Sequence, residues 1–281
     1  MKFLRVGRSK QEKPAILDSS GIIRDISSII PDLNSITINQ NTINLLKNIN
    51  PSELPELSEK LRIGPCINDP QKFIGIGLNY IDHAKEANMK VPEEPIVFLK
   101  ANNCISGPND NVLIPRKSKK TDWEVELGII IGKETKYITE DKSSDHIFGY
   151  CIVNDISERE FQLERSGQWD KGKGCDTFGP LGPYLVTKDE IKNIQNINLE
   201  LKLNGKIVQK GNTSNMIFSV NHIVSYLSNF MTLYPGDIIA TGTPSGVGMG
   251  KDPQQFLKPK DEMILKIDNL GTQKQKVFSD N

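Results

Sequence analysis

Apolar and polar positions along this chain alternate in short blocks, not in long helical stripes. Apolar β-formers at Phe3 to Val6, Ala15 to Leu17 and Ile22 to Ile26 predict strands, with Asp18-Ser19-Ser20-Gly21 as a hairpin turn. Ile43 to Ile49 carries a helical spacing, and Pro51 and Pro55 then punctuate the chain. Further strand-like runs lie at Phe73 to Leu78, Pro95 to Lys100, Asp110 to Pro115, Phe148 to Asp155, Ile197 to Leu203, Ile238 to Thr241 and Met263 to Ile267. Asn204-Gly205 is a type I′ hairpin signal leading into Lys206 to Val208. Two segments predict helices. Asn79 to Met89 is short and polar, with Asn79 as N-cap, and Ser219 to Met231 is amphipathic. In the second, Val220, Ile223, Val224, Leu227, Phe230 and Met231 form one stripe, and His222 falls off it as a surface residue. Strands outnumber helices, so the class is α+β. A boundary near Gly64-Pro65 to Asp69-Pro70 predicts a small N-terminal α+β domain over residues 1–68 and a larger domain over 69–281.

One strand breaks its own pattern. Thr121-Asp122-Trp123-Glu124-Val125-Glu126 runs into apolar residues up to Gly132, yet Glu124 and Glu126 sit two apart and share a face. Two carboxylates on one face of a core strand repel and are costly to desolvate. A hard divalent cation is the simplest compensation, and the alternative is an edge strand with both side chains in water. Asp155 ends the next apolar run, and pairing of the two strands would bring it beside the glutamates. Three oxygen ligands with room for water and substrate suit Mg²⁺ or Mn²⁺ better than Zn²⁺.

Composition narrows the classes. The formal net charge is +0 and mean hydropathy is -0.39, so nothing argues for nucleic acid or a membrane surface. No apolar run reaches membrane-spanning length, and the charged N-terminus does not read as a signal peptide. Cys66, Cys104, Cys151 and Cys175 are too scattered for a zinc site and fit free thiols in a cytoplasmic protein.

Other polar residues gain meaning only together. His83 and Glu86 lie three apart on the short helix, where the carboxylate can orient the imidazole. That helix is marginal alone, so Asn79 to Pro92 is expected to be mobile until a ligand orders it. Arg159 and Gln162 are again three apart, after Asp155. Trp169 to Pro183 is a loop dense in glycine and proline, and Gly242-Thr243-Pro244-Ser245-Gly246 is another with little side-chain cover. The glycines of Phe73 to Leu78 are expected to permit close backbone approach.

Taken in order, these pieces resemble the fumarylacetoacetate hydrolase family from about Gly64 to the C-terminus. The matching motifs are Gly77-Leu78-Asn79-Tyr80 with His83 and Glu86, then Phe98-Leu99-Lys100 and Glu124-Val125-Glu126. They continue with Asn154-Asp155, Arg159 and Gln162, Gly172-Lys173, Asp176 to Pro180, and Ala240 to Gly248. The N-terminal module is similar to that of long bacterial members labelled ureidoglycolate lyase or 2,4-diketo-3-deoxy-L-fuconate hydrolase. The resemblance implies a mixed β-roll, a homodimer, and one Mg²⁺ or Mn²⁺ per subunit at Glu124, Glu126 and Asp155. It implies cleavage of the C–C bond of a 2,4-dioxo acid, with His83 as base oriented by Glu86 and Lys173 stabilising the oxyanion. Arg159, Gln162, Lys100, Gly242 and Thr243 would bind substrate, the last two holding its carboxylate. Rival chemistries on the same set are oxaloacetate decarboxylation, isomerisation of a dienoic diacid and ureidoglycolate cleavage. A rival from another class is a non-catalytic metal or ligand-binding protein.

Overall fold

A computed structural model describes residues 1–280. Among them, one eleven-stranded mixed sheet forms the frame. Its path runs Glu56–Leu57, Ile23–Asp25, Lys13–Leu17, Lys2–Val6, Gly179–Thr187, Ile147–Asn154, Val125–Ile131, Ile238–Ala240, Phe73–Gly77 and Ile96–Lys100, with Ile105–Ser106 paired to Gly179–Thr187. A five-stranded sheet, Lys206–Asn212, Asn198–Leu203, Glu262–Ile267, Gly271–Ser279 and Val112–Ile114, curls against it. The protein is α+β, a mixed β-roll with few helices.

The central strands are buried on both faces, which explains their unbroken apolar runs in place of alternation. Val125–Ile131 and Ile147–Asn154 pair antiparallel, with Val125 opposite Asn154 and Glu126 opposite Val153. The N-terminal strands continue this sheet through Lys2 opposite Val186, and the expected 68–69 boundary lies in the loop before Phe73–Gly77. The Asp18 carboxylate caps its hairpin by accepting from the Ser20 and Ile22 N–H groups. Asn204 and Gly205 both take positive φ, as a type I′ turn requires.

Three local expectations change. The amphipathic helix spans Val220–Ser228 and buries Val220, Ile223, Val224 and Leu227, but it stops before Phe230, which is 63% exposed. The polar helix spans only Ile81–Glu86, and Asn79 does not cap it. Asn79 is instead fully buried, donating to the Phe218 and Thr241 carbonyls and accepting from Phe218 N–H. The chain does not close at Ile267 but adds Gly271–Ser279. Among the described residues, no helix is long and apolar enough to cross a membrane.

Candidate active site

The antiparallel register builds the site. Asp155 follows Asn154 directly, and its N–H donates to the Glu124 carbonyl at 2.9 Å. Glu124 precedes the strand and Glu126 lies within it, so the strand end presents both carboxylates where Asp155 arrives. Oxygen atoms from Glu124, Glu126 and Asp155 lie within 4.8 Å of one another, and all three side chains are buried. On the other flank, Ile238–Ala240 delivers the Gly242 N–H to Glu126 Oε2 at 2.8 Å.

The cations are shared unequally. Lys173 Nζ bridges Glu124 Oε2 at 2.6 Å and Asp155 Oδ2 at 2.7 Å. Arg159 Nη2 meets Glu124 Oε1 at 2.7 Å, its Nε meets Asp122 at 2.9 Å, and its Nη1 donates to Gln162 at 3.0 Å. Burial pushes Glu124 up, but Lys173 and Arg159 outweigh it and hold the group below the usual carboxylate range. Glu126 goes the other way. Burial raises it first, the charges of Asp155 and Glu124 raise it further, and Lys173 and the Gly242 N–H do not compensate. Lys173 and Arg159 are both held charged, because the carboxylates around them overcome the desolvation of their own burial.

The His83–Glu86 pair forms as expected, with Nδ1 and Oε2 3.1 Å apart. Its helix is docked on the 242–250 loop. Glu86 Oε1 accepts from the Gly246 N–H at 2.8 Å, and Ser245 donates to Asp82 at 3.1 Å. His83, Glu124, Glu126, Arg159, Gln162, Lys173 and Thr243 all line one cavity.

Lys100, Gly242 and Thr243 all make hydrogen bonds within the protein, and of the three Thr243 lines the cavity. The Lys100 ammonium is fully buried and donates to Asp155 Oδ1 at 2.6 Å and the Lys173 carbonyl at 2.5 Å, so it holds the triad from behind. The Gly242 N–H is spent on Glu126, and the Thr243 hydroxyl donates to the Val125 carbonyl while accepting from Gln209. The glycines of Phe73–Gly77 make room for side chains: a Cβ at Gly75 would meet Phe98 at 2.1 Å, and one at Gly77 would meet Trp169 at 2.5 Å.

Two residues escaped the sequence reading. Asp122 is fully buried, anchors Arg159 and accepts from the Gly248 and Met249 N–H groups. Its signal was present, since Asp122, Glu124 and Glu126 continue the same two-residue period. Tyr80 is buried with no hydrogen-bond partner for its hydroxyl among the described residues. Burial, then the charges of Glu126 and Asp82, push this phenol up.

The donor set fits a hard divalent ion. It consists of carboxylate oxygens alone, and among the described residues Glu126 meets no side-chain cation, so a positive ion there would offset its charge.

The family model "Fumarylacetoacetate (FAA) hydrolase C-terminal" matches residues 72–278. A candidate hydrolase of Burkholderia orbicola (strain MC0-3) is 54% identical over 277 residues, covering 98% of both chains. The solved fumarylacetoacetate hydrolase of the psychrophile Exiguobacterium antarcticum superposes with a TM-score of 0.89 at 30% identity, covering 100% of both chains. The maleylpyruvate hydrolase of Sphingobium sp. SYK-6 superposes with a TM-score of 0.83 at 27% identity, again over 100% of both. With its buried acidic triad, its roll and a match spanning most of its length, the chain belongs to the fumarylacetoacetate hydrolase family.

Proposed function

We propose that this protein is a divalent-metal-dependent hydrolase that cleaves the C–C bond between the carbonyls of a 2,4-dioxo acid. The observation that carries this reading is Glu126, a buried carboxylate without a cation, in one cavity with an oriented histidine. A binding module has no need of a base above its ligand set, which favours catalysis over the non-enzymatic alternative. The relatives named for hydrolysis, including one named for maleylpyruvate, support the same class.

Glu124, Glu126 and Asp155 would hold Mg²⁺ or Mn²⁺, which as a Lewis acid supplies positive charge for a 2-oxo acid and for the enolate of its cleavage. His83, fixed through Nδ1 by Glu86, takes a proton from water, and that water adds to the 4-oxo carbon. Lys173, with Gln162 beside it, stabilises the oxyanion formed there. Collapse of this adduct breaks the C3–C4 bond, and its electron pair passes into the enolate of a pyruvate. The proton held on His83 returns to C3, leaving pyruvate and a carboxylic acid. Arg159 sets Gln162 and Glu124 in place, and Lys100 sets Asp155. Decarboxylation would use the same acidic floor but no attacking water, so it would depend less on His83.

The reading is tested with a panel of 2,4-dioxo acids and Mg²⁺ or Mn²⁺, following loss of enol absorbance and identifying products by mass. Absence of turnover across the panel would remove it. We also propose a homodimer. Val97 and Leu99, on the last strand of the large sheet, are exposed apolar residues that support it. Light scattering that gives a monomer at micromolar concentration would reject the dimer.

A further inference from the structure

The strand that carries the two glutamates loses a main-chain partner where the carboxylates begin. Val125–Ile131 pairs with Ile238–Ala240 only from Ile130 to Gly128, and Thr241 adds one bond, its N–H donating to the Leu127 carbonyl at 3.0 Å. The chain then turns away at Gly242, whose φ is +95° and whose N–H goes to the Glu126 side chain. Val125 points its N–H and C=O to the same flank as Leu127, because successive residues of a strand bond to alternate sides. Among the described residues, no strand pairs with Val125 on that flank.

Two side chains replace the ladder there. The Val125 N–H donates to Gln209 Oε1 at 3.0 Å, Gln209 Nε2 donates to the Thr243 hydroxyl at 2.8 Å, and that hydroxyl donates to the Val125 carbonyl at 2.9 Å. These three bonds close a ring. Gln209 Nε2 also donates to the Pro244 carbonyl at 2.9 Å. Gln209 and Thr243 are 1% and 3% exposed, a setting in which an unmade hydrogen bond is costly. Gln209 belongs to Lys206–Asn212 of the five-stranded sheet, not to the sheet that carries the floor. Its strand lies tight against the loop after Gly242, since a Cβ at Gly246 would meet the Val208 carbonyl oxygen at 1.9 Å. On the opposite flank Asn154 Oδ1 accepts from the Glu124 N–H at 3.3 Å, so both N–H groups that lead into the floor end on side-chain amides.

Resting on the metal reading above, we infer that Gln209 is a positioning residue for the ion floor. From the second sheet it fixes the peptide groups of Val125, and with them the spacing of Glu124 and Glu126 on either side. Among the described residues that line the catalytic cavity Gln209 is absent, so it acts through the backbone and Thr243.

Mg²⁺ titration calorimetry on the full-length protein tests this, at a temperature where each variant is folded. Gln209→Met keeps the bulk, removes the amide and should weaken Mg²⁺ binding roughly tenfold or more, the scale set by loss of support around a ligand. Thr243→Val breaks the same ring and should weaken binding by a similar factor. Thr243→Ser keeps the hydroxyl and should match the parent. The double variant Gln209→Met/Thr243→Val should bind no more weakly than the weaker single variant, because one ring is broken once. Additive losses would overturn the inference. So would parental Mg²⁺ affinity in Gln209→Met, whatever its melting temperature, because an amide that serves the fold alone lowers stability without touching the ion. If Gln209→Met does not fold, Thr243→Val against Thr243→Ser decides, and equal affinities overturn the inference. A parent that binds neither Mg²⁺ nor Mn²⁺ would reject the metal reading and the inference with it. A parent that binds, with variants that bind as well, rejects the inference alone.

Discussion

Among the described residues, a half-buried cluster of charges and the buried catalytic floor are built on opposite plans. Where the N-terminal strands meet the rest of the roll, Arg5 grips Asp32 at 2.6 and 3.0 Å, and Arg62 grips Asp110 at 2.7 and 2.5 Å. Glu12 lies between the two guanidiniums, 2.6 Å from Arg62 and 3.6 Å from Arg5. Each carboxylate there meets a guanidinium, two of them in bidentate geometry, and the result is a joint. On the catalytic floor Asp122, Glu124 and Asp155 also have cations, but among the described residues Glu126 has only an N–H. Ion pairing alone does not distinguish the two clusters. The unmatched charge does, and it marks the place where something from outside completes the balance.

The sharpest way to break this comparison is to neutralise the unmatched group. Glu126→Gln should cut turnover roughly 10³-fold or more, because the ion loses a ligand and its charge. It should leave the melting temperature of the metal-free protein unchanged or higher, since a costly buried carboxylate is gone. The measurement pairs steady-state rates with thermal unfolding in a chelator. A large loss of stability would show that Glu126 is structurally matched after all.

Next in size is the base. His83→Ala should lower C–C hydrolysis by roughly 10²–10⁴-fold, the usual share of a general base. It should leave Mg²⁺ affinity nearly unchanged, since the three carboxylates sit on the strands. Any decarboxylase activity should fall less. Calorimetric Mg²⁺ titration and both rates on one variant decide the point. Equal losses in the two reactions, or a lost metal site, would remove His83 from the role assigned to it.

The joint should respond in the opposite sense. Arg5→Leu leaves the half-buried Asp32 without its guanidinium, so unfolding free energy should drop by about 2 kcal/mol. Turnover per folded molecule should change little, as Arg5 does not line the catalytic cavity. Denaturant unfolding and activity on the same preparation test this. A stable but inactive variant would dissolve the distinction between the clusters.

The floor was more legible in sequence than its surroundings, for physical reasons. A two-residue period on a core strand exposes Glu124 and Glu126 as same-face acids whatever the fold around them. What supports them is set by tertiary contacts that leave no local period. Lys100 stands at a strand end, yet its contact with Asp155 depends on where the Asp155 loop arrives. Asn79 has the chemistry of an N-cap, but two carbonyls and an N–H from distant loops claim its amide instead. The strand Gly271–Ser279 hid for a related reason. Its inward positions include Gln273 and Gln275, both fully buried, so its pattern looks polar up to Lys276. Gln273 donates to the Ile152, Pro180 and Gly182 carbonyls, which makes it a polar core residue that apolar alternation does not reveal.

The smallest effect belongs to a charge that is matched but close to water. Asp18 closes the first hairpin, and its carboxyl is held below its usual value. The Ile22 N–H contributes most to this, then Arg24, with Ser20 N–H adding to them. An acid whose folded value is depressed adds stability above its unfolded value, and that stability is lost as pH falls through the folded value. With the unfolded value at 3.8, the contribution is whole at neutral pH and shrinks only in strongly acidic solution. Asp18→Asn should therefore lower the melting temperature slightly at pH 7, and the gap to the parent should close as pH drops below about 3.8. Turnover should not move, because the hairpin lies in the N-terminal strands, outside the catalytic cavity. Melting curves of both proteins across acidic pH decide it. A gap that widens toward low pH would mean that the Asp18 charge destabilises the hairpin, and that pairing near water follows a different rule from pairing at the joint.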